Sequence, residues 1–401
     1  MAEQGQSLTR AKGGKIHTSF EFVVSIQVLR GIAALLVVLY HHSHYLAAVL
    51  PTTAPGRLPF AGGYAGVDIF FIISGFMIVY STQERSHARP LEFAIRRFFR
   101  VVPLAQLATL AYYFSLTSRP PPSVLWRSLF LVPISDVDPP KFGFPVIAQA
   151  WALSYELIFY TIFAGVLLFT HRRRVIAASA VVVASVVSCQ WALGGPMTVF
   201  PNGVYLPNGH GGILPPEALG ELGNPILLEF VLGMTLADAY IKYGTWLRDS
   251  RRAWVARFSG LALVAVFVLT YLSPENPGNG LLNKGMGAAC LVVGALLVEV
   301  SLPRPGALAP RRNLLRLGMW LGSISYPLYL VHFAIAERIV RRLCSFFLSW
   351  NPEGVVRVFI LIAVSLALAA VVQRFVETRF LDLGRLLIRA LHRRTRISPS
   401  P

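Results

Sequence analysis

Apolar residues fall in blocks of roughly 17–22 along this chain, the length a helix needs to cross a hydrocarbon core about 30 Å thick. The blocks run over 23–45, 66–82, 101–117, 147–169, 175–193, 225–241, 257–272, 285–301, 318–337 and 355–375. None shows the period-two alternation of a membrane β-barrel. The pattern predicts an all-α fold, a polytopic membrane helix bundle of about ten transmembrane helices. Residues 1–22 are expected to form an N-terminal tail, 23–375 the transmembrane domain and 376–401 a basic C-terminal tail, and neither tail is long enough to fold alone. The third block is the weakest as a span, because Pro103 stands in its first turn. The first block is too long for a signal peptide and lacks a small-residue cleavage site, so it is expected to stay as a helix.

Composition agrees with this picture. Only 14% of the 401 residues are charged and 55% are hydrophobic, against about 25% charged in soluble domains. That is too little polar surface for an ordinary soluble enzyme. The net charge of +18 comes from 37 Lys and Arg against 19 Asp and Glu. With the N-terminus in the cytoplasm, 27 of these 37 lie in cytoplasmic segments and 9 in outer ones, with Arg30 inside the first block. This is the positive-inside bias, and it places both termini in the cytoplasm. The basic residues are scattered in short clusters, so no nucleic-acid partner is expected. Cys189, Cys290 and Cys344 lie in or beside apolar blocks without paired spacing, which predicts neither a disulfide framework nor a metal site. The segment 194–224 holds no Lys or Arg and is rich in Gly, Pro and Asn. It reads either as a connector or as a lid facing the outside.

Ionisable residues inside a membrane are costly and usually face the bundle interior or a water-filled cavity. Arg30 and His41 are eleven residues apart, which returns to within about 20° of the same helix face and separates them by about 16 Å along the axis. Snorkelling of Arg30 and simple packing of His41 are the plainer alternatives. Asp68, in Gly66-Val67-Asp68-Ile69-Phe70-Phe71, lies at a depth comparable with His41 and is expected to orient its imidazole, unless it serves only to cap a helix. Glu156 and Tyr160 are one turn apart on the fourth block, and a buried Glu there needs partners. Glu229 in the sixth block is a similar case.

Two further clusters stand out. Arg96, Arg97 and Arg100 follow the second block, and Arg96 and Arg100 share a helix face. Guanidinium groups there suit phosphate oxygens, although a topology signal or a lipid headgroup contact explains them as well. In the ninth block Ser325, Tyr329 and His332 share a face, while Pro327 deprives Ser323 of its hydrogen-bond donor and predicts a kink. Broken helices at membrane depth usually line cavities, and a polar helix–helix seam is the alternative.

At these residues the chain resembles the integral-membrane acyltransferase family 3. The matching stretches, from Ile26 to about Phe380, are Leu29-Arg30-Gly31-Ile32-Ala33-Ala34 with His41; Gly66 to Phe71 with Ser74-Gly75-Phe76; Arg96-Arg97-Phe98-Phe99-Arg100-Val101-Val102-Pro103; Trp151-Ala152-Leu153-Ser154-Tyr155-Glu156; and Ser325-Tyr326-Pro327-Leu328-Tyr329-Leu330-Val331-His332. Leu227-Leu228-Glu229-Phe230 and the chain length look most like the exopolysaccharide-production branch. The resemblance implies that the Arg-x10-His pair, Arg30 and His41, takes part in catalysis, and that the Arg-x-x-Arg element is Arg97 and Arg100. Ala152 replaces the Ser usual in the fourth-block motif. Some members carry a C-terminal hydrolase-like domain, for which this chain is expected to have no room.

The resemblance further implies an O-acyltransferase of the bacterial cytoplasmic (inner) membrane, multi-pass, with acyl-CoA (acetyl-CoA at the family level) as donor substrate and no permanently bound cofactor. Its acceptor would be a hydroxyl of a cell-surface or exported glycan, or of a lipid-linked sugar. His41 is expected to act as general base with Asp68 or Glu156 as orienting partner, and Arg96, Arg97 and Arg100 to hold the CoA anion. Ser325, Tyr329, His332, Tyr160 and Glu229 would line a hydrated tunnel joining Arg30 to His41. Alternatives are a covalent acyl-enzyme, a proton-coupled transporter or flippase, an acyltransferase acting on a macrolide-type natural product, and a structural subunit of an export complex.

Overall fold

The computed structural model describes residues 23–46, 58–84, 88–133, 138–143, 146–207, 215–273, 278–302, 312–348 and 353–397. Among them the chain is all helical, without a strand. The helices that matter for the site are α1 (Val24–His42), α2 (Ala65–Ser81), α3 (Pro90–Ser115), α4 (Pro122–Leu129), α5 (Trp151–Phe169), α6 (Arg174–Leu193), α7 (Leu228–Leu247), α8 (Ser250–Leu272), α9 (Met286–Ser301), α10 (Arg312–Ser323), α11 (Ser325–Val331), α12 (Ala334–Leu343), α13 (Gly354–Val372) and α14 (Thr378–Ile397). Eight helical stretches among the described residues are long and apolar enough to cross a membrane. The chain is a polytopic helical membrane protein.

Two of the ten expected spans take another form, each for a local reason. The third is the second half of α3, a continuous 26-residue helix whose first turns carry Arg96, Arg97 and Arg100. Those charges remove it from the purely apolar set. The ninth is broken twice. Ile324 leaves the helical region (φ −95°, ψ 2°) between α10 and α11, as Pro327 predicts, and a second break at Phe333 (φ −92°, ψ −72°) separates α11 from α12. Ser325 Oγ donates to Gly322 O at 2.9 Å, so the first break leaves that carbonyl satisfied. The expected tail beyond residue 376 is also helical. A π-helical turn over Gln373–Glu377 carries α13 into α14, which lies on α3 with Gly384 against Phe99.

Small residues set the helix spacing at the centre, where interhelical packing has no hydrophobic drive of its own. Where α1 crosses α10, a Cβ on Gly31 would sit 2.7 Å from Gly322 N. Where α2 crosses α7, a Cβ on Gly233 would sit 2.0 Å from Ile72 O. Neither crossing survives a methyl group without movement. The N-terminus of α1 lacks a side-chain cap of its own. Glu299, at the end of α9, supplies one, accepting from Val24 N and Ser25 N at 2.9 Å each. A carboxylate at a helix N-terminus satisfies free N–H groups and complements the dipole. The register of α1, and with it Arg30 and His41, is thereby fixed against α9.

The segment 194–224 is not a loose connector over its described part. Gln190 donates to Thr198 O (3.1 Å) and Gly223 O (2.8 Å) and accepts from Thr198 N (2.8 Å), while Asn224 donates to Pro201 O at 3.1 Å. Residues 208–214 of the segment lie outside the described residues.

Candidate active site

A cavity of about 120 Å³ opens between α1, α2, α3, α5 and α11. Its charged wall is Arg30, Arg97, Arg100 and Glu156, and its aromatic wall includes Phe70, Phe71, Tyr160, Tyr326 and Tyr329. Arg30 makes no hydrogen bond or salt bridge among the described residues, but the carboxylates of Glu156 and Glu377 are near enough to favour its charge. Arg97 donates to Ser81 Oγ at 3.1 Å and stacks over the rings of Phe93 and Tyr160, with its Cζ 5.4 and 5.3 Å from their centroids. Arg100 pairs with Glu377 and lies over Tyr326. Glu156 accepts from Ser74 Oγ (2.8 Å) and from the Tyr160 hydroxyl. The cavity is thus an amphipathic slot with cationic groups at one end of the bundle.

Arg96 is not part of it. It reaches back to Glu92 at 3.4 Å, where Arg89 and His392 also converge. Arg96 and Arg100 share a helix face in sequence, but the cavity takes Arg97 and Arg100, which lie three positions apart. The choice depends on where α5 and α11 pack against α3, and a single-helix projection does not contain that information.

The histidines form a second cluster beyond the cavity. His41 is half-buried, and its Nδ1 lies 2.9 Å from Val37 O and 3.2 Å from His332 Nε2. The two rings are 4.9 Å apart, and the His42 ring is 6.2 Å from that of His332. His332 is the C-cap just past the short α11 and is fully buried. The segment is pinned by its tyrosines: Tyr326 donates to Val101 O and Tyr329 to Gln149 O, each at 2.5 Å. Neither His41 nor His332 lines this cavity, whose lining on the side of α2 and α11 includes Phe70 and Tyr329, with ring centroids 6.0 Å apart.

The expected carboxylate partner of His41 is also corrected. Asp68 is fully buried and accepts from Asn279 Nδ2 and Gly280 N, both at 2.7 Å. It ties the segment 278–285 to α2 instead of orienting an imidazole. Gly280 takes φ 114° to present its N–H, a conformation that favours glycine. Glu229 is buried beside Asp68, close against Gly285, and is not in the cavity wall. Glu156 keeps its bonds to Ser74 and Tyr160. Ser325, Tyr329 and Tyr160 do line the cavity, while His332 meets His41 outside it.

Glu377, Ser74, Phe70 and Tyr326 escaped the sequence reading as site residues. Glu377 gave one signal: it is a carboxylate within an otherwise basic segment, Arg374-Phe375-Val376-Glu377-Thr378-Arg379. Among the described residues no group of three or more His, Cys, Asp or Glu side chains converges with metal-binding geometry.

The site is a cationic slot inside a membrane helix bundle, with an imidazole pair beyond it. The comparisons say what kind of protein carries it. The acyltransferase domain profile matches residues 23–374, nearly the whole described bundle. The chain belongs to the integral-membrane acyltransferase family 3, and it is an acyltransferase. It is 31% identical over 287 residues to the exopolysaccharide production protein ExoZ of Rhizobium meliloti, covering 69% of this chain and 78% of that protein. It is 26% identical to the acyltransferase MdmB of Streptomyces mycarofaciens, over 78% of each chain. It is 24% identical to the peptidoglycan O-acetyltransferase OatA of Listeria monocytogenes, over 90% of this chain and 56% of that one. No solved structure matches the chain.

Proposed function

We propose that this protein moves an acyl group, acetyl in the first instance, from cytoplasmic acyl-CoA to a hydroxyl of an exported glycan at the opposite face of a bacterial cytoplasmic membrane. The observation that carries the reading is Arg30. It is a guanidinium in the wall of an interior cavity that makes no hydrogen bond or salt bridge among the described residues, with Glu156 and Glu377 near enough to favour its charge and Arg97 and Arg100 beside it. Three guanidinium groups facing one interior cavity, one of them held by no direct bond, suit an anionic ligand. CoA is a polyanion, and a planar guanidinium pairs with its phosphates bidentately. The positive-inside bias supports putting the arginine-rich end on the cytoplasmic side, where acyl-CoA is found. The names of the relatives from Rhizobium and Listeria support a glycan acceptor.

In this mechanism the acyl-pantetheine arm extends from the arginines past Phe70 and Tyr329 toward His41, about 16 Å along α1. His41 takes the proton of the acceptor hydroxyl as its oxygen attacks the thioester carbon. The C–S bond breaks, the ester forms, and the proton passes to the CoA thiolate. General-base assistance of this kind supplies roughly 10²–10⁴ in rate. The test is equilibrium binding of acetyl-CoA to the full chain in lipid nanodiscs. Saturable, salt-sensitive binding that weakens at least tenfold in Arg30→Ala is expected. Equal binding by the variant would remove the ground for the reading.

A further inference from the structure

The hydrogen bonds around His41 and His332 determine where their protons sit. His332 Nδ1 lies 3.1 Å from Leu328 O and 2.9 Å from Tyr329 O. Both neighbours are acceptors, so Nδ1 carries the proton and donates. In a neutral imidazole the other nitrogen, Nε2, is then an acceptor. That Nε2 faces His41 Nδ1 at 3.2 Å, and His41 Nδ1 also faces Val37 O at 2.9 Å. A lone pair on His41 Nδ1 would confront two acceptors at once, whereas a proton there serves both. Neutral His41 is therefore the Nδ1–H tautomer. Its lone pair is on Nε2, which has no partner among the described residues.

We propose that His332 is a positioning residue, selecting the His41 tautomer whose free Nε2 lone pair can take a proton from the acceptor hydroxyl. The inference rests on the reading of His41 as general base. It assigns to an imidazole the orienting role that a carboxylate plays in other base-activated sites. When His41 gains a proton at Nε2, its Nδ1–H still points at His332 Nε2 and Val37 O, two acceptors that stabilise the cation. No carboxylate has to enter the site. Val37 and His41 share one helix, so the Val37 carbonyl alone would permit the same tautomer. His332 adds a second acceptor from another element, and that holds the ring's orientation as well. The double break around α11 has the same logic, because it delivers the buried His332 ring to α1.

The test has two arms. In the first, ¹⁵N-histidine NMR of the full chain in lipid bilayers at alkaline pH reads the tautomers directly, with the His41 signals identified by their loss in His41→Ala. A protonated Nδ1 and a bare Nε2 on His41 are expected in the wild type, and a mixture of tautomers in His332→Phe. In the second arm, membranes carrying the full chain receive acetyl-CoA labelled in the acetyl group, and label is counted in the glycan fraction. His332→Phe should lower kcat at least tenfold, part of the roughly 10²–10⁴ that a general base supplies, with the KM for acetyl-CoA unchanged. His332→Gln, whose amide oxygen can accept in place of Nε2, should recover most of that loss. A His41 protonated on Nε2 in the wild type overturns the inference, as does His332→Phe turning over within threefold of wild type. A wild-type protein that binds acetyl-CoA but transfers none overturns the general-base reading, and the NMR arm then decides the tautomer by itself.

Discussion

Arg30 and Asp68 are both ionisable groups inside the membrane-spanning bundle, and they have opposite lives. Arg30 lines a cavity and bonds to none of the described residues. Asp68 is fully buried, and its two oxygens are taken by Asn279 and Gly280. The first leaves the guanidinium's donors unbonded toward the cavity, with only the more distant charges of Glu156 and Glu377 in its favour. The second satisfies a charge by holding a loop to a helix. A charge at membrane depth therefore does not mark chemistry by itself. The difference between the two is that one faces a cavity with its donors unbonded and the other has its oxygens bonded to the fold.

His41→Ala is the sharpest way to extend this contrast. It should lower acyl transfer by roughly 10²–10⁴ while leaving the thermal midpoint in detergent nearly unchanged, because its ring is half-buried and bonds through one nitrogen only. Next in size, Arg30→Gln should raise the KM for acetyl-CoA by tenfold or more, the loss of a charge-assisted bond worth about 1.5–3 kcal/mol. Its folded stability should hold or rise. Asp68→Asn should do the reverse. It leaves the Gly280 or Asn279 donor facing an amide and costs about 1–3 kcal/mol, read as a lower unfolding midpoint, with kcat per folded molecule unchanged. If Asp68→Asn instead abolished turnover without loss of stability, the division between the two charges would fail.

The smallest effects lie at the arginine-rich end. Arg96→Ala should change acetyl-CoA affinity by less than about 0.5 kcal/mol, as expected for a partly exposed ion pair, whereas Arg97→Ala should weaken it clearly. Equal losses would return Arg96 to the donor site. Beside it, partial burial pushes the Glu92 carboxyl up, but the His392 hydrogen bond and the charges of His392, Arg89 and Arg96 outweigh this and hold it below the usual range. A depressed carboxyl stabilises the fold above its unfolded value, and that stabilisation is lost as pH falls through the depressed one. The docking of α14 on α3 should therefore loosen on acidification, seen as faster proteolysis of the C-terminal helix, and Glu92→Gln should remove this dependence.

Local periodicity made the helices and the shared face of Arg30 and His41 legible, because a helix repeats the same geometry wherever it forms. The break near Pro327 was legible too, since a missing N–H is a property of the residue. The third span was obscured because one helix carries both the arginine cluster and an apolar half. Asp68 was misread for a different reason. Its depth matches that of His41, but depth along a helix says nothing about which neighbour its carboxylate meets.

The sequence by itself determined that this chain is an all-helical membrane protein of the acyltransferase family, and which residues are too polar to sit there without cause. Only the tertiary structure decided their partners. It put Asp68 on a loop 211 residues away, Glu377 on Arg100 and His332 on His41 across 291 residues. The reason is physical: a hydrogen bond is made over about 3 Å, and helix packing alone brings residues so distant in the chain that close.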